Sequence, residues 1–372
     1  MSSARRIILV ASVDDQSNRL LKIGRSYASA GYEVIFWGMD RLRRHGKQGL
    51  VEGLHSEYLV SGFGYSNWRL LFGYPLWMWR VWRRVRRLDA DLIHAFELDS
   101  ALPVALAARG RIPFLYDVQD NYDLRHNWVF PVAQVIRWLD AFVLSRAAAV
   151  IVPDQARIVG PFQRFAPKIT VLPNCPPDVP APPRPARNGR LTVLAVGHLA
   201  ERRGISLLLD AVRELPEVRV LMAGRFTEPW LEAKARAMPQ VEFRGWVPWE
   251  QAVALGYEAD LMFAFYDPRY RINRLANAQK WFDAMMTGTP ILSNAEMVNA
   301  DWILGENIGY VCPYDEQLLA YTLRRILASP EQACEKGRHA RRLFEQRYNW
   351  PVMEKKLLEL AARHVRSAPT CR

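Results

Sequence analysis

The chain contains two series of alternating strand and helix signals, separated by a proline-rich segment that can continue neither. Apolar, β-branched runs at Arg6–Ala11 and Glu33–Trp37 predict the first two strands, and the helical spacing of Leu20–Ala30 predicts the helix between them. Seven prolines lie between Pro173 and Gly189, where neither a helix nor a central strand can persist. Such alternation is typical of parallel sheets covered by helices, so we predict two doubly wound α/β domains joined by a linker.

The remaining signals follow the same rhythm. Ligands of open parallel sheets bind beyond the carboxyl ends of the strands, so the residues that follow the strands are the functional candidates. In the first half, further strands are predicted at Asp91–Ala95, Pro113–Asp117, Ala149–Pro153 and Ile169–Leu172. In the second half, strands are predicted at Leu191–Val196, Arg219–Ala223, Val241–Arg244, Asp260–Phe265 and Pro290–Ser293, and helices at Ile205–Leu215, Trp249–Tyr257, Asn277–Thr287 and Glu316–Ala328.

The charge of the chain needs an explanation, because 50 Lys and Arg residues against 38 Asp and Glu give a formal net charge of +12. Nucleic acid, a phosphorylated small molecule and an anionic membrane surface are the candidate partners, and an Arg-rich surface without a partner is the alternative. No apolar run reaches the roughly 20 residues of a spanning helix. Because Met1–Arg6 leads directly into the first strand, we expect no signal peptide. Four cysteines without paired spacing predict neither a disulfide framework nor a zinc site, and favour a reducing compartment.

Residues 68–88 form the most unusual segment, in which tryptophans are interspersed with arginines. A helical wheel from Trp77 onward separates an apolar arc from a basic arc, with Trp79 at the border. Such a helix can lie in the headgroup layer of a membrane, which is the interpretation we favour. Packing of the apolar arc on the domain core is one alternative, and binding of single-stranded nucleic acid, for which no accompanying motif is present, is another. The predicted membrane contact comprises Trp68, Trp77, Trp79, Arg80, Trp82, Arg83, Arg84 and Arg87.

Six segments, in the correct order along the chain, resemble the retaining glycosyltransferases of family 4. The resemblance covers nearly the whole chain and implies the GT-B fold, in which two Rossmann-like domains face a central cleft. We accordingly expect an acceptor-binding domain at 1–175, a linker at 176–190, a nucleotide-sugar-binding domain at 191–350 and a last helix at 351–372 that crosses back to the first domain. The segments are Asp91–Ala95, Tyr116–Asp120, Val171–Asn174, Val196–Leu199 with Glu201–Ile205, Met222–Gly224, and Asn277–Met285 with Gly288–Pro290.

The resemblance implies that the second domain binds a nucleotide-sugar donor, whose leaving diphosphate needs cations or helix N-termini to stabilise its growing charge. Gly197 permits a tight turn and a close approach of backbone to phosphate. Arg203 stands where the family usually has a phosphate-binding lysine, and its guanidinium can hold two phosphate oxygens. Lys280 is the second expected phosphate cation, although both side chains have the alternative of being solvated surface charges. His198 and Asn277 complete the expected donor contacts.

Asp283 departs from the family pattern. Relatives commonly have two glutamates eight positions apart, and here Asp283 takes the second position and Leu275 the first. A carboxylate at position 283 can accept hydrogen bonds from two vicinal ribose hydroxyls. The sugar contact of the first glutamate is missing.

In the first domain, Gln119 and Asp120 take positions where many relatives have a histidine and an acidic residue. Gln119 can hydrogen-bond a sugar hydroxyl, and Asp120 can orient the acceptor or assist its deprotonation. Arg19 is expected either to bind an acceptor phosphate, such as a lipid diphosphate, or to pair with Asp15. His94 is either an acceptor contact or a buried structural histidine.

These features predict a glycosyltransferase that moves a sugar from a nucleotide-diphosphate donor to a lipid-linked or envelope polysaccharide precursor, with retention of configuration. Asp120, Gln119, Arg203 and Lys280 are the expected catalytic residues, and positioning supplies most of the acceleration. We expect no metal, no cofactor and no nucleic-acid partner, and a cytoplasmic location at the inner face of the cell membrane. Two alternatives stay open: a catalytically degenerate GT-B scaffold for a partner enzyme, and a basic nucleic-acid-binding protein.

Overall fold

The computed structural model describes residues 4–13, 18–45, 48–51 (backbone only), 54–64, 68–124, 128, 130–181 and 189–366. The chain forms two compact units, one of Met1–Pro173 with Met353–Arg372 and the other of Asn174–Val352. Each unit has its own sheet and its own hydrophobic core. Within the described ranges, no helix is both long and apolar enough to cross a membrane.

The first unit is built on an eight-stranded sheet. Its strands are β1 (Arg6–Val10), β2 (Glu33–Asp40), β3 (Gln48–Val51), β4 (Leu54–Ser61), β5 (Leu92–Phe96), β6 (Phe114–Asp117), β7 (Ala149–Val152) and β8 (Ile169–Val171). The order is β3-β4-β2-β1-β5-β6-β7-β8, with β3 antiparallel to β4 and the other described pairs parallel. The chain leaves β1 toward β2 and later returns to β5 on the other side of β1. The topological switch point, where such sheets bind ligands, therefore lies at the carboxyl ends of β1 and β5.

Four helices of the first unit cover this sheet. They are α1 (Asn18–Ser29), α2 (Leu70–Val85), α3 (Leu98–Ala108) and α4 (Phe130–Arg146). Right-handed crossovers place α1 on one face of the sheet and the other three helices on the opposite face. There α3 packs between α2 and α4, and residues of all three helices share one apolar core with the sheet.

The apolar arc of α2 packs on this core, so Trp77 and Trp82, two residues of the predicted membrane contact, lie against the interior of the unit. Trp77, Val81 and Val85 are completely buried, and Trp82 packs against the same core partly buried. A fully buried large apolar side chain contributes about 1.5–3 kcal/mol relative to an exposed one, so turning this arc outward would remove several such contributions. Trp68 and Trp79 are exposed, and so are the predicted arginines.

The second unit is built on a six-stranded, wholly parallel sheet. Its strands are β9 (Leu191–Leu199), β10 (Val218–Phe226), β11 (Val241–Phe243), β12 (Leu261–Ala264), β13 (Ile291–Asn294) and β14 (Gly309–Cys312). The order β11-β10-β9-β12-β13-β14 places the switch point at the carboxyl ends of β9 and β12. Two doubly wound sheets confirm the predicted fold class.

The helices of the second unit connect these strands, and the last helix of the chain begins in the second unit. They are α5 (Ile205–Val212), α6 (Pro229–Arg236), α7 (Trp249–Glu258), α8 (Arg271–Arg274), α9 (Gln279–Thr287), α10 (Ala300–Gly305), α11 (Glu316–Leu327), α12 (Pro330–Arg347) and α13 (Trp350–His364). From Met353 onward α13 groups with the first unit, where the Arg366 N–H donates to the Asp91 carbonyl (3.1 Å).

The described part of the proline-rich segment is tied to the second unit. The Trp350 N–H donates to the Pro176 carbonyl (2.9 Å), and the Arg341 guanidinium of α12 holds both carboxylate oxygens of Asp178 at 2.8 Å. Residues 182–188 of the predicted linker lie outside the described residues. Asp15, the alternative partner of Arg19, also lies outside them.

Candidate functional site

Two glycines shape the carboxyl end of β9 at the switch point of the second unit. Gly197 has φ +96° and faces Gly224 of β10, which has φ +151°. A Cβ atom on Gly224 would lie 1.9 Å from the Gly197 carbonyl oxygen, whereas a Cβ on Gly197 would meet no atom within 4 Å. The two strands therefore approach each other as only glycine allows, and the Gly197 backbone borders open space.

Arg203 lies beside this turn and stacks on an aromatic ring. It ends the 3-10 turn Glu201–Arg203, and its guanidinium carbon is 4.5 Å from the centre of the Tyr266 ring. Tyr266 follows β12 and is fixed by Asn294, whose Oδ1 accepts from the Tyr266 N–H (2.8 Å) and whose Nδ2 donates to the Tyr266 carbonyl (3.1 Å). In the part of the chain that the structure describes, Arg203 forms no ion pair. Its charge is therefore oriented by stacking and available to an anion.

Lys280 is the second residue of α9 and reaches the same strand end. Its Nζ donates to the Val196 carbonyl (3.0 Å). Burial and, to a smaller extent, the charge of Arg203 lower the pKa of Lys280 to about 8, although Asp283 acts in the opposite direction. The ammonium is thus poorly compensated by the protein, and an anionic ligand would stabilise it.

The basic side chains near β9 influence one another. The pKa of His198 is lowered by partial burial and by the nearby charges of Arg203, Arg202, Lys280 and Arg225. We call Arg202, Arg203, Arg225 and Lys280, which surround the neutral His198, the β9 cation cluster. Such a concentration of positive charge at a switch point attracts a multiply charged anion. Arg202 and Arg225 were not predicted; their positions after β9 and at the end of β10 are the signal that could have identified them.

The two remaining predicted donor residues lie at α9. Asp283 accepts a hydrogen bond from Trp249 Nε1 at 3.2 Å. Asn277 is partly buried just before the helix. The N-cap residue of α9 is Ala278, whose side chain forms no capping hydrogen bond, so the helix N-terminus favours an anion. The structure thus places all six predicted donor residues around the carboxyl end of β9 and the start of α9.

At the switch point of the first unit, Gln119 lines a small cavity of about 30 Å³ together with Ser12 and Glu97. Glu97 directly follows β5 and has φ +63°. That conformation costs of the order of 1–3 kcal/mol in a non-glycine residue and often marks a functional site. The Glu97 N–H donates to the Asp117 carbonyl (2.9 Å), which holds the backbone there. Sequence analysis gave Glu97 no site role, because a positive φ leaves no signature in the side-chain type.

Asp120 is held by a buried arginine. Arg157 Nη2 lies 2.8 Å from Asp120 Oδ1, and the Arg157 side chain is almost completely buried. The Arg157 carbonyl accepts from Asn121 Nδ2 at 3.1 Å. The carboxylate of Asp120 is therefore positioned at the carboxyl end of β6 and remains partly exposed. Arg157 is thus a positioning residue that sequence analysis missed.

Arg19 and His94, the predicted acceptor residues, lie in the interior instead: His94 is the buried structural histidine of the second alternative, and the predicted acceptor contact of Arg19 is wrong. Arg19 is 2% exposed, and Asp117 and His94 are fully buried. Arg19 donates from Nε and Nη2 to the Asp117 carboxylate (3.0–3.2 Å) and from Nη1 to the Leu172 carbonyl (3.0 Å). His94 bonds Asp117 through Nε2 (3.3 Å) and the Tyr27 hydroxyl through Nδ1 (3.0 Å). A buried charge needs such partners, so these side chains hold β6, α1 and β5 together.

The described residues contain no group of three or more His, Cys, Asp or Glu side chains placed to hold a metal ion. Cys175, Cys312 and Cys334 are free thiols. Asp89-Ala90-Asp91 is an Asp-x-Asp sequence, but it precedes β5, at the opposite end of the strand from the switch point. Its carboxylates accept hydrogen bonds from Arg366 Nη1 (3.2 Å) and from the Arg6 N–H (2.8 Å).

Comparison with known proteins accounts for both units. The family model of the glycosyl transferase 4-like domain matches residues 16–175, and that of a glycosyl transferase-like domain matches residues 202–359. Glycogen synthase of Mycobacterium tuberculosis is 24% identical over 371 residues, covering 89% of this chain and 86% of the relative.

Solved structures show the same fold. Sucrose-phosphate synthase of Thermosynechococcus elongatus superposes with a TM-score of 0.74 at 17% identity, covering 96% of this chain and 98% of the other. Anabaena HepE in complex with UDP and glucose has a TM-score of 0.69 at 16% identity, and the match covers 96% of this chain and 100% of the other. With both units matched in order, the chain belongs to the family 4 glycosyltransferases, which are nucleotide-sugar-dependent transferases of the GT-B fold.

Proposed function

We propose that the β9 cation cluster binds the diphosphate of a nucleotide-sugar donor and that the sugar passes, with retention, to a lipid-linked or envelope polysaccharide precursor. The observation that carries this proposal is the placement of Arg203 and Lys280 at a switch point, with their charges only weakly compensated. Asp283 binds the donor ribose. The complex of Anabaena HepE with UDP and glucose supports a uridine nucleotide as the first donor to test.

The chemistry follows from charge and position. The bond between the anomeric carbon and the diphosphate oxygen breaks as the acceptor oxygen bonds to that carbon, and the acceptor proton passes to the leaving diphosphate. Arg203 and Lys280 stabilise the charge that develops on the diphosphate without a metal ion. Gln119 hydrogen-bonds the acceptor, and Asp120, fixed by Arg157, orients the acceptor hydroxyl.

We further propose that the enzyme works on the cytoplasmic side of an anionic membrane. Arg80, Arg83, Arg84 and Arg87 line a groove between α2 and β4, together with Trp79. Arg84 pairs with Glu57 and Arg80 with the Leu59 carbonyl. The exposed basic face of α2, which belongs to the acceptor-binding unit, suits an acceptor that is carried by an anionic membrane.

Titration with a panel of nucleoside diphosphates tests the donor site. We expect one nucleoside diphosphate to bind, and Lys280→Ala to weaken it roughly 10- to 100-fold, because a charge-assisted bond to phosphate is worth about 1.5–3 kcal/mol. EDTA should leave the affinity unchanged. Lys336→Ala is the matched control, since Lys336 lies on α12 and bonds Asn307 instead. An equal loss of affinity in both variants, or no binding of any nucleoside diphosphate by the folded natural protein, would contradict the proposal.

The affinity for that nucleoside diphosphate should fall as the pH rises through the pKa of Lys280, because only the protonated lysine attracts the diphosphate. Lys280 titrates at about 8 in the free protein, and the bound diphosphate holds its proton. Affinity is therefore constant below the free pKa and falls above it, by about tenfold between pH 7 and pH 9. Isothermal titration over this range measures the effect, and in Lys280→Ala the inflexion should be absent. An unchanged inflexion in that variant would assign the titration to another group.

A further inference from the structure

Exposed large apolar side chains of the first unit are concentrated at the start of α2 and along the first half of α4. At α2, Trp68, Leu71 and Phe72 have 68%, 74% and 64% of their surface exposed. At α4, Phe130 and Trp138 reach 82% and 67%. Scattered single apolar residues on a surface are ordinary, whereas a concentration of this kind marks an interaction surface.

Over its first nine residues, the outer face of α4 is apolar apart from Gln134 and one partly exposed charge, Arg137. The exposed side chains there are Phe130, Pro131, Val132, Gln134, Val135 and Trp138. Arg137, between them in sequence, is only partly exposed and pairs with Asp123 at 2.7 Å. The inner face places Ile136 and Val143 in the core, together with the buried Asp140, which accepts a hydrogen bond from the Tyr116 hydroxyl (2.7 Å). The apolar side chains of the outer face are not part of this core, so an interaction partner can cover them.

Topology brings the two helix starts to the same side of the unit. α2 follows β4 and α4 follows β6, so both helices begin at the carboxyl edge of the sheet, where Gln119 and Asp120 lie. Both lie on the same face of the sheet, one on each side of α3. We call the exposed apolar side chains at these two places the apolar tip, which comprises Trp68, Leu71, Phe72, Phe130, Val132, Val135 and Trp138.

The outer face of α2 carries aromatic and basic side chains along its whole length. Trp68 and Arg69 precede the helix, Phe72 lies in its first turn, Trp79 in its middle, and Arg83 and Arg87 at and just after its end, all exposed. The Arg83 guanidinium lies 5.4 Å from the centre of the Trp79 ring. Exposed tryptophan and phenylalanine beside arginine are typical of helices that lie at the headgroup layer of an anionic bilayer. This combination of aromatic and basic side chains favours an anionic lipid surface over a second protein surface as the occupant.

We infer that the apolar tip inserts into the acyl boundary of an anionic bilayer while Arg83 and Arg87 contact the headgroups. This inference rests on the proposed membrane location and adds α4 to the contact, which sequence analysis had confined to residues 68–87. Insertion at the carboxyl edge places the acceptor residues Gln119 and Asp120 on the membrane side of the unit. A lipid-carried acceptor then reaches them without leaving the bilayer surface.

Binding of the full chain to vesicles of phosphatidylglycerol and phosphatidylcholine, compared with phosphatidylcholine alone, tests the inference. We expect the double variant Phe130→Ser, Trp138→Ser to bind the anionic vesicles at least about tenfold less tightly, because two aromatic side chains no longer leave water on binding. The matched control is Trp230→Ser, Leu304→Ser, which removes two similarly exposed apolar side chains from the second unit. Brominated acyl chains should quench tryptophan fluorescence of the natural protein more than that of the α4 variant.

The variant Arg83→Glu, Arg87→Glu separates insertion from electrostatic attraction. If it abolishes vesicle binding while the α4 variant binds normally, the membrane location stands and insertion of the tip is wrong. If the natural protein binds no vesicles but forms dimers that the α4 variant loses in sedimentation, the tip is an interface between copies of the chain. Nucleoside-diphosphate affinity, measured on every variant, should stay unchanged, so a defect of the donor site is recognised separately.

Discussion

Replacing Asp117 with alanine is expected to destabilise the first unit by about 3–5 kcal/mol, because the buried Arg19 guanidinium loses its counter-charge. Both side chains are shielded from water, and Asp117 also accepts from His94. Water cannot replace the lost carboxylate without opening the contact between α1 and the sheet. An effect of this size is a large fraction of the total stability of most domains.

Urea denaturation followed by circular dichroism measures this loss. The matched control is Glu33→Ala, which breaks an exposed ion pair with Arg6 and should cost no more than about 1 kcal/mol. If Asp117→Ala changed stability as little as Glu33→Ala, the buried ion cluster would not be a structural element, and an acceptor role for Arg19 would have to be reconsidered.

The pH dependence of this contribution has a definite sign. Burial acts to raise the pKa of Asp117, but the charge of Arg19 and the hydrogen bond from His94 outweigh it, and the pKa is lowered. A carboxyl group whose folded pKa is depressed stabilises the protein above its unfolded pKa, and the contribution is lost as the pH falls through the folded value. The difference in stability between the natural protein and Asp117→Ala should therefore shrink only below about pH 4.

Sequence periodicity predicted the fold because the central strands are buried along their length and most connections between parallel strands are helices. Leu191–Val196 lies within β9, and Asp91–Ala95 overlaps β5 with a shift of one residue at each end. The hairpin of β3 and β4 was missed because these two strands follow each other without an intervening helix, whereas the alternating pattern predicts one. The strand β14 was missed because Gly309–Cys312 is too short for a clear pattern.

Side-chain orientation could not be predicted in the same way. The wheel of α2 separated two faces correctly, but an apolar face packs equally well on a protein core or in lipid, and for Trp77 the core is its partner. Arg19 and His94 follow the rule that ligands bind near strand ends, yet their charges are satisfied inside the unit. Arg203 and Lys280 were located from the resemblance, whereas Tyr266, which orients Arg203, carries no signal in the sequence.

Replacing Gly224 with alanine is expected to abolish tight nucleoside-diphosphate binding, although residue 224 need not touch the ligand. The new Cβ would lie 1.9 Å from the Gly197 carbonyl oxygen, which is backbone and cannot move away as a flexible side chain can. Either β9 or β10 must shift, and the positive φ of residue 224 adds strain. Together these effects should cost about 3 kcal/mol or more.

Two further glycine variants distinguish the steric effect from a general loss of glycine. Gly305→Ala, at the end of α10, meets no atom within 4 Å and should leave stability and nucleotide affinity nearly unchanged. Gly197→Ala also meets no atom but keeps a positive φ of +96°, so its cost should be that of backbone strain alone, about 1 kcal/mol. If Gly224→Ala bound the nucleoside diphosphate as tightly as Gly305→Ala, the close approach of β9 and β10 would not determine the position of the phosphate site. If affinity fell in the order Gly305, Gly197, Gly224, the geometry of the β9 turn would be as necessary to donor binding as the charges of Arg203 and Lys280.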